Sequence, residues 1–359
     1  MIDTDGLAPD YPTARARFLA AATDTGARVA HHLFPEVGPT GEELAIDIAW
    51  FGPEQPEQVV MIVSGTHGVE GYAGSYCQSR WLEERGAPQL ADGTAVVFLH
   101  AFNPYGFAWV RRVNEDNVDI NRNFADLSAP PSNDGYDELA EALAPPTWTE
   151  ESRQATDAQI LDLVAIWGFE AVQAAVSGGQ YTHPDGLFYG GQEPTRSHRI
   201  MRELADTRVA GARRVVLLDL HTGLGEWGEV EIITHEPSWS DAFRRTVSWW
   251  GDRVASNAGG GDSVSAELAG EWMEATQRWL LPAETTAGAL EWGTVDSITV
   301  IQALRADNWL HTRGDPTGPG AAAIKADLRA AFAPSDPAWA AKVFDCFTSV
   351  LDSTLEIVA

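Results

Sequence analysis

The sequence predicts an α/β fold, a three-layer sandwich in which helices flank a mixed, largely parallel sheet. Three observations lead there. The runs Val59 to Ser64 (VVMIVS), Thr94 to Phe102 (TAVVFLHAF) and Arg213 to His221 (RRVVLLDLH) are apolar with little alternation, as in strands covered on both faces. Segments with apolar residues at helical spacing lie between them, and such alternation builds a sheet with helices packed against it. Each run also ends in a polar side chain or a Gly- or Pro-containing turn, the place where α/β sheets gather their ligand-binding loops.

Taken in order, Asp10-Tyr11-Pro12 starts a helix whose apolar positions Ala14, Phe18, Leu19 and Ala22 run on to Gly26. Leu44 to Phe51 (LAIDIAWF) alternates as a strand, and Pro53 to Pro56 turns into the run beginning at Val59. Ala73 to Glu84 reads as a helix with Tyr76, Cys77, Trp81 and Leu82 inward, and the next strand ends in the turn Asn103-Pro104-Tyr105-Gly106. Val113 to Phe124 (VNEDNVDINRNF) is too polar for a packed element and reads as a functional loop. An insertion at about 129–191 follows: a Pro-, Ser- and Asp-rich stretch, a helical pattern from Glu150 to Val176, and the aromatic, Gly-rich loop GGQYTHPDGLFYGG from Gly178. Strands are then expected at Arg213 to His221, Val230 to His235 and Ala289 to Ile298, the last entered through Thr285 to Gly288. Aromatic helical residues Trp239, Phe243, Trp249 and Trp250 precede a flexible run Gly259 to Gly261, and Pro337 to Ala359 forms a C-terminal packing helix. No repeat or linker interrupts the pattern, so one domain over 1–359 is expected.

The chain has 359 residues and a net charge of −28, from 52 acidic against 24 basic side chains. This balance excludes the basic face that a nucleic-acid partner needs. Cys77 and Cys346 both fall in apolar helical patterns and read as free thiols rather than a disulfide or metal pair. The acidic start MIDTDGLAPDYP lacks an apolar signal segment, and no stretch is long and apolar enough for a membrane span. A soluble, cytoplasmic protein without a membrane partner is expected; nothing in the sequence sets an oligomeric state.

Chemistry enters at VVMIVSGTHGVEG, Val59 to Gly71. A buried strand ends at Ser64-Gly65, and His67 and Glu70 follow three apart on a Gly-flanked turn. An imidazole and a carboxylate offered at a strand end suit Zn²⁺, whose catalytic sites commonly take two His and one Glu and keep one position open. HxxE alone occurs by chance, so the remaining parts must come from elsewhere. His221 arrives at the end of another apolar run, before Thr222-Gly223, and Glu291 sits inside the apolar run Ala289-Leu290-Glu291-Trp292, where a carboxylate is costly unless paired or functional.

The motifs HGVEG, NPYGF, DINRNF, DLHTG and LEWGT occur in the order found in zinc carboxypeptidases of the carboxypeptidase A clan, which the chain resembles. Nearly its whole length looks like a bacterial domain-of-unknown-function branch of that clan, with a further likeness to the aspartoacylase and succinylglutamate desuccinylase deacylases. The resemblance implies a zinc carboxypeptidase-like fold and one Zn²⁺ ion held by His67, Glu70 and His221. It also implies Glu291 as general base and acid, and Asp119 as the carboxylate that orients His67. Asn121 and Arg122 match the pair that grips a substrate carboxylate, a task suited to a planar guanidinium. The arginine that polarises the scissile carbonyl is Arg111 or Arg112, with spacing from Asn103 favouring Arg112. One departure concerns the tyrosine that closes over substrate in the peptidases downstream of the second zinc His. All seven tyrosines here precede His221. The cap is therefore expected from Tyr181, His183 or Tyr189 in the aromatic loop, or is absent.

The resulting expectation is a zinc-dependent amide hydrolase, carboxypeptidase-like, acting on a small peptide or peptide-like substrate with a free carboxylate. An N-acyl amino acid deacylase and a non-catalytic zinc-binding or regulatory protein are the alternatives. A serine hydrolase is disfavoured because no GxSxG strand-to-helix elbow is present.

Overall fold

The computed structural model describes residues 6–259 and 261–359. The first five residues, and Gly260 within the run expected to be flexible, lie outside the described residues. In chain order the elements are α1 (Tyr11–Asp24), β1 (Arg28–Val37), β2 (Glu43–Phe51), β3 (Gln58–Ser64), α2 (Gly71–Arg85), β4 (Thr94–His100) and the short α3 (Pro104–Ala108). Three helices follow, α4 (Asp134–Leu143), α5 (Glu150–Trp167) and α6 (Phe169–Ser177), and then α7 (Arg196–Leu204). The second half comprises β5 (Arg214–Trp227), β6 (Val230–Thr234), α8 (Asp241–Trp250), β7 (Val254–Ser256), α9 (Trp272–Trp279), β8 (Glu284–Gly293), α10 (Ser297–Thr312), α11 (Ala321–Phe332) and α12 (Pro337–Val358).

The eight strands form one mixed sheet in the order β1-β2-β4-β3-β5-β8-β6-β7. Its centre, β4-β3-β5-β8, is parallel; β2 joins antiparallel to β4, and β6 joins antiparallel to β8. Side chains alternate across a strand, and here both sets are buried. Val59, Met61, Val63, Val97, Leu99, Val215 and Leu217 face the layer that includes α7 and α9. Val60, Ile62, Val96, Phe98, Val216 and Leu218 face α2 and α12, where Cys77, Trp81, Trp339, Val343 and Phe347 complete the core. Burying each such aliphatic side chain contributes about 1.5–3 kcal/mol, which is why the central runs carry so few polar residues. A third apolar cluster joins α4, α6, α10 and α11 through Leu139, Leu143, Val172, Val300, Leu304 and Phe332.

Four expectations need correction. Arg28–Val37 was not anticipated as a strand; it lies at the sheet edge, most of its side chains are exposed, and it contains Pro35, so no apolar alternation marks it. The polar stretch after Ala129 contains α4, whose start is fixed by Asn133 accepting from the Tyr136 amide. The helical pattern from Glu150 breaks at Gly168, whose φ of 89° no helix continues through. The fifth expected strand is displaced: it spans Glu284–Gly293, and Asp296 instead caps α10 by accepting from the Thr299 amide at 3.0 Å. The segments of α7, α9, α10 and α11 were not read as helices from the sequence at all. Cys77 is buried and Cys346 partly buried, both as free thiols. Among the described residues no helix is long and apolar enough to cross a membrane.

Candidate metal centre and its cleft

His67 and Glu70 sit just beyond β3 on a turn pinned from both sides. The Gly68 and Val69 amides donate to the Arg112 and Arg111 carbonyls at 3.1 and 2.7 Å. A Cβ on Gly68 would lie 2.0 Å from the Gly106 carbonyl carbon, so only glycine lets HGVEG and NPYGF approach this closely. His221 and Glu291 arrive on neighbouring strands. They are direct register partners in the β5–β8 ladder, so both side chains emerge on the same side of the sheet. His221 is not at the end of its strand, as the end of its apolar run suggested; β5 runs on to Trp227.

The ligand atoms converge. His67 Nδ1 lies 2.9 Å from Glu70 Oε1, His221 Nδ1 lies 2.9 Å from Glu70 Oε2, and the two Nδ1 atoms are 3.2 Å apart. One donor atom from each residue falls within 4.8 Å of the other two, and all three side chains are buried. The far nitrogen of each ring faces its own carboxylate. His67 Nε2 is 3.2 Å from Asp119 Oδ1, and His221 Nε2 is 2.6 Å from Asp219 Oδ2. Donating Nε2–H to these acceptors leaves both Nδ1 lone pairs aimed at the shared centre, the outer support that metal-ligating imidazoles usually have. Two imidazole nitrogens and a carboxylate, each oriented from behind, fit a metal ion.

Asp219 was missed as a site residue although it stands in the DLH run. Positions two apart on a strand share a face, and that was the signal available. Its carboxylate also accepts from Thr66 Oγ1 at 2.7 Å and Trp272 Nε1 at 2.5 Å. Trp272 is far away in sequence and carries no motif, so nothing in the sequence announces it.

The charges of the cluster are set by burial and neighbours. Burial alone would raise the Glu70 carboxyl, but the rings of His67 and His221 outweigh it and hold Glu70 below the usual carboxylate range. Asp119 is likewise held well below that range, burial being overridden by the Arg112 guanidinium, His67 and Arg122. Burial would lower the His221 imidazole, yet Asp219 and Glu70 together raise it well above its ordinary value. Glu291 goes the other way. Burial first, then the Glu70 carboxylate, push it up to about 8, against the opposing pull of His221, the Leu224 amide and Arg112. The Leu224 N–H donates to Glu291 Oε1 at 2.9 Å and fixes the carboxyl beside the cluster. Two neighbouring carboxyl groups are thus driven in opposite directions.

Of the two candidate arginines, Arg112 lies in the site. Its Nε donates to Asp119 Oδ2 at 2.9 Å, its Nη1 to Glu70 Oε1 at 3.3 Å, and its Nη2 lies 2.8 Å from His67 Nε2. Arg112 lines the cleft beside the cluster. Arg111 is excluded. Its guanidinium is buried and committed to Asp307, the Asn114 carbonyl and Asn117, away from the cleft.

Asn121 and Arg122 do line the cleft with His67, Glu70, His221 and Glu291. Arg122 is 2% exposed, and among the described residues no carboxylate lies within ion-pairing distance of it. Its Nε and Nη2 donate to the Ser177 carbonyl at 3.1 and 2.7 Å, and its Nη1 to the Asn121 carbonyl at 2.9 Å. A guanidinium carries five N–H groups, so one remains on each terminal nitrogen. Burial depresses its pKa, against the opposing pull of the Asp119 and Glu271 carboxylates. Asn121 accepts from the Trp272 amide through Oδ1 at 3.2 Å, which turns the side chain's own N–H donors elsewhere.

The aromatic loop contributes to the cleft by a different residue from those expected. Tyr181 is buried with its hydroxyl donating to the Arg122 carbonyl at 2.6 Å, and His183 pairs at the surface with Asp137 at 2.8 Å. Neither lines the cleft, and neither does Tyr189, whose carbonyl accepts from the Asp119 amide at 2.7 Å. Phe188 does. Its ring centroid lies 5.1 Å from the guanidinium carbon of Arg112 and 5.8 Å from that of Arg122, held by a backbone with φ of 54°. Such a φ is rare for a bulky residue and is kept where surrounding structure imposes it. Glu271 is a further missed residue: it borders the cleft at 6% exposure, its pKa raised by burial, with no hydrogen-bonding or ion-pairing partner for its carboxylate among the described residues.

Comparison with known proteins gives a family and distant structural neighbours. No curated protein sequence matches the chain. Among solved structures, carboxypeptidase A from Helicoverpa armigera is similar at 14% identity and a TM-score of 0.48, over 92% of this chain and 75% of that one. An aspartoacylase family protein from Mesorhizobium loti is similar at 14% identity and a TM-score of 0.36, over 80% and 67% of the two chains. The succinylglutamate desuccinylase from Chromobacterium violaceum is similar at 17% identity and a TM-score of 0.38, over 84% and 74%. These are neighbours of the kinds that the motifs resemble, but values this low leave the chemistry to this chain's own side chains. The family model described as "Protein of unknown function (DUF2817)" matches residues 7–345, and the chain belongs to that family.

Proposed function

We propose that the protein is a zinc-dependent amide hydrolase acting on a small substrate with a free carboxylate. The observation that carries this reading is the convergence of His67, Glu70 and His221, with ligand atoms within 4.8 Å of one another, next to Glu291. His₂Glu with an open position is a donor set of catalytic zinc sites. Bound there, Zn²⁺ would supply Lewis acidity and lower the pKa of a water to near neutrality.

The chain's own residues would do the rest. The Glu291 carboxylate would take a proton from the attacking water and deliver it to the leaving amine, and the Leu224 N–H at 2.9 Å holds it in place for both transfers. Arg112 would direct its unused N–H at the developing oxyanion, with its guanidinium anchored by Asp119. Arg122 and Asn121 would hold the substrate carboxylate with the donors that the protein leaves unused. Asp119 and Asp219 keep the two imidazoles oriented.

The reading is tested by metal analysis and by Glu291→Gln. The purified protein should contain one Zn²⁺, and a chelator should abolish hydrolysis of peptides or N-acyl amino acids. Glu291→Gln should retain the metal and lower kcat by about 10²–10⁴-fold, the usual contribution of general acid–base catalysis. Near-normal turnover by that variant would remove Glu291 from the mechanism. A metal-bound protein with no hydrolytic activity toward any carboxylate-bearing amide would favour a binding role.

A further inference from the structure

The cleft is larger and more apolar than the chemistry at its floor needs. It encloses about 570 Å³, and clefts of about 300–1,000 Å³ hold entire drug-sized ligands. One end is the polar group already described. The rest is walled by Leu143 of α4, Val164 of α5, Val172 of α6, Val300 and Leu304 of α10, and Phe332 at the end of α11. Two polar groups along this wall are satisfied inside the protein, Asp157 accepting from Gln302 and Arg305 and Gln173 donating to the Val264 carbonyl, while Glu271 and the Asn257 Oδ1 line the same cleft without a partner among the described residues.

The mouth of the chamber is apolar as well. Leu161, Phe169 and Ile298 line it at 61%, 55% and 63% exposure, and α5 has no buried residue along its length. Contiguous apolar surface around a cleft marks a place where something apolar binds. The same cleft offers the Arg122 guanidinium, buried against the Ser177 carbonyl at the end of α6 and with one unused N–H on each terminal nitrogen. Together these features describe an amphiphile, a carboxylate for Arg122 and a large apolar group for the helical wall, with its scissile amide over His67, Glu70 and His221. At about 570 Å³ the cleft as a whole exceeds what the side chain of one amino acid would fill, and a long apolar acyl chain suits its helical wall.

We propose that the substrate is an N-acyl amino acid whose acyl group is a long apolar chain lodged between α5, α6 and α10. The proposal rests on the amide-hydrolase reading. In the reaction the amide C–N bond breaks. Water adds OH to the acyl carbon and a proton to the nitrogen, so that an apolar carboxylic acid and a free amino acid leave.

Two assays on the full chain test it. In the first, kcat/KM is measured for N-acylglycines and N-acylleucines from acetyl to decanoyl, beside dipeptides ending in Leu or Phe. The rate should rise about threefold to fourfold per methylene, the factor set by burying a CH₂, until the chamber is full. Val164→Trp, on a half-buried position of α5, should shorten the preferred chain; Leu161→Asp at the exposed rim should lower the gain per methylene. In the second, calorimetry follows binding of straight-chain carboxylates from acetate to decanoate, which needs no turnover. Their affinity should climb by similar steps and fall for the longer members in Val164→Trp. Fastest cleavage of acetyl substrates, faster cleavage of the dipeptides than of any acyl amino acid, or a flat binding series would overturn the proposal. Stepwise carboxylate binding with no amide cleaved would uphold the apolar chamber and refute the hydrolase reading. Cleavage without chain-length dependence would do the reverse.

Discussion

Replacing Arg122 by Met tests the part of the site that reads the substrate. The guanidinium is buried, lacks a carboxylate partner, and retains one unused N–H on each terminal nitrogen after bonding the Ser177 and Asn121 carbonyls. A hydrogen bond to a charged group contributes about 1.5–3 kcal/mol, so two of them to a substrate carboxylate amount to about 3–6 kcal/mol. At 1.36 kcal/mol per tenfold, kcat/KM should fall by about 10²–10⁴-fold. The variant also strips two backbone carbonyls of a donor, a structural cost of about 1–3 kcal/mol for each group left unsatisfied. That cost is common to all substrates. The informative quantity is therefore the ratio of kcat/KM for an acyl amino acid to that for its carboxamide, measured in wild type and in Arg122→Met. Wild type should prefer the acid strongly and the variant should lose that preference. If the ratio changes by less than about threefold, Arg122 does not bind the carboxylate, whatever the variant does to the absolute rate. Arg122→Lys should restore charge but not two-point binding, and recover only part of the preference.

Other expectations follow from the same geometry. Asp219→Asn should weaken metal affinity by about 10–100-fold with little effect on folding, read by competition with a chromogenic chelator; unchanged affinity would show that His221 needs no orienting carboxylate. In chelator, the protein should lose stability as pH rises from about 6.5 to about 8. Glu291, pushed up to about 8, and His221, raised above its ordinary value, both bind protons more tightly when folded, so stability present at low pH is lost as pH rises through the folded values. The buried neutral His100, lowered to about 4, acts oppositely only below about 6.5, where its unfolded counterpart takes up a proton. Urea midpoints across this window should decline, and Glu291→Gln should flatten part of the slope; a rising midpoint would contradict both assignments.

The parts of the site that were legible in the sequence are those whose residue type is improbable where it stands. A His or a carboxylate closing or interrupting an apolar run, as at His67, His221 and Glu291, has few structural explanations, and the strands themselves betray their burial. What the sequence hid were partners drawn from afar. Trp272 reaches Asp219 across 53 positions, and Phe188 is one aromatic among several in its loop, so Tyr181 and His183 were equally eligible for the role it holds. Arg111 and Arg112 differ by one position, and only the fold decides that Asp307 takes the first. The same limit governed the fold. Central strands declared themselves, while β1 at the exposed edge and the helices over the cleft, whose apolar faces answer to one another or to the chamber, gave weak periodicity.

His221 and Glu291 occupy facing positions on adjacent parallel strands. The separation between metal ligand and proton carrier is therefore one ladder spacing, about 4.8 Å between strand axes, fixed by backbone hydrogen bonds. Loop conformation does not enter it. The helices that wall the chamber, α4–α6, α10 and the end of α11, lie outside that ladder. Relatives could lengthen, shorten or repack those helices without disturbing the distance on which bond breaking depends. One piece of backbone could thus serve several substrate sizes, and differences among such proteins should concentrate in α4–α6 and α10, while the β5–β8 rung stays the same.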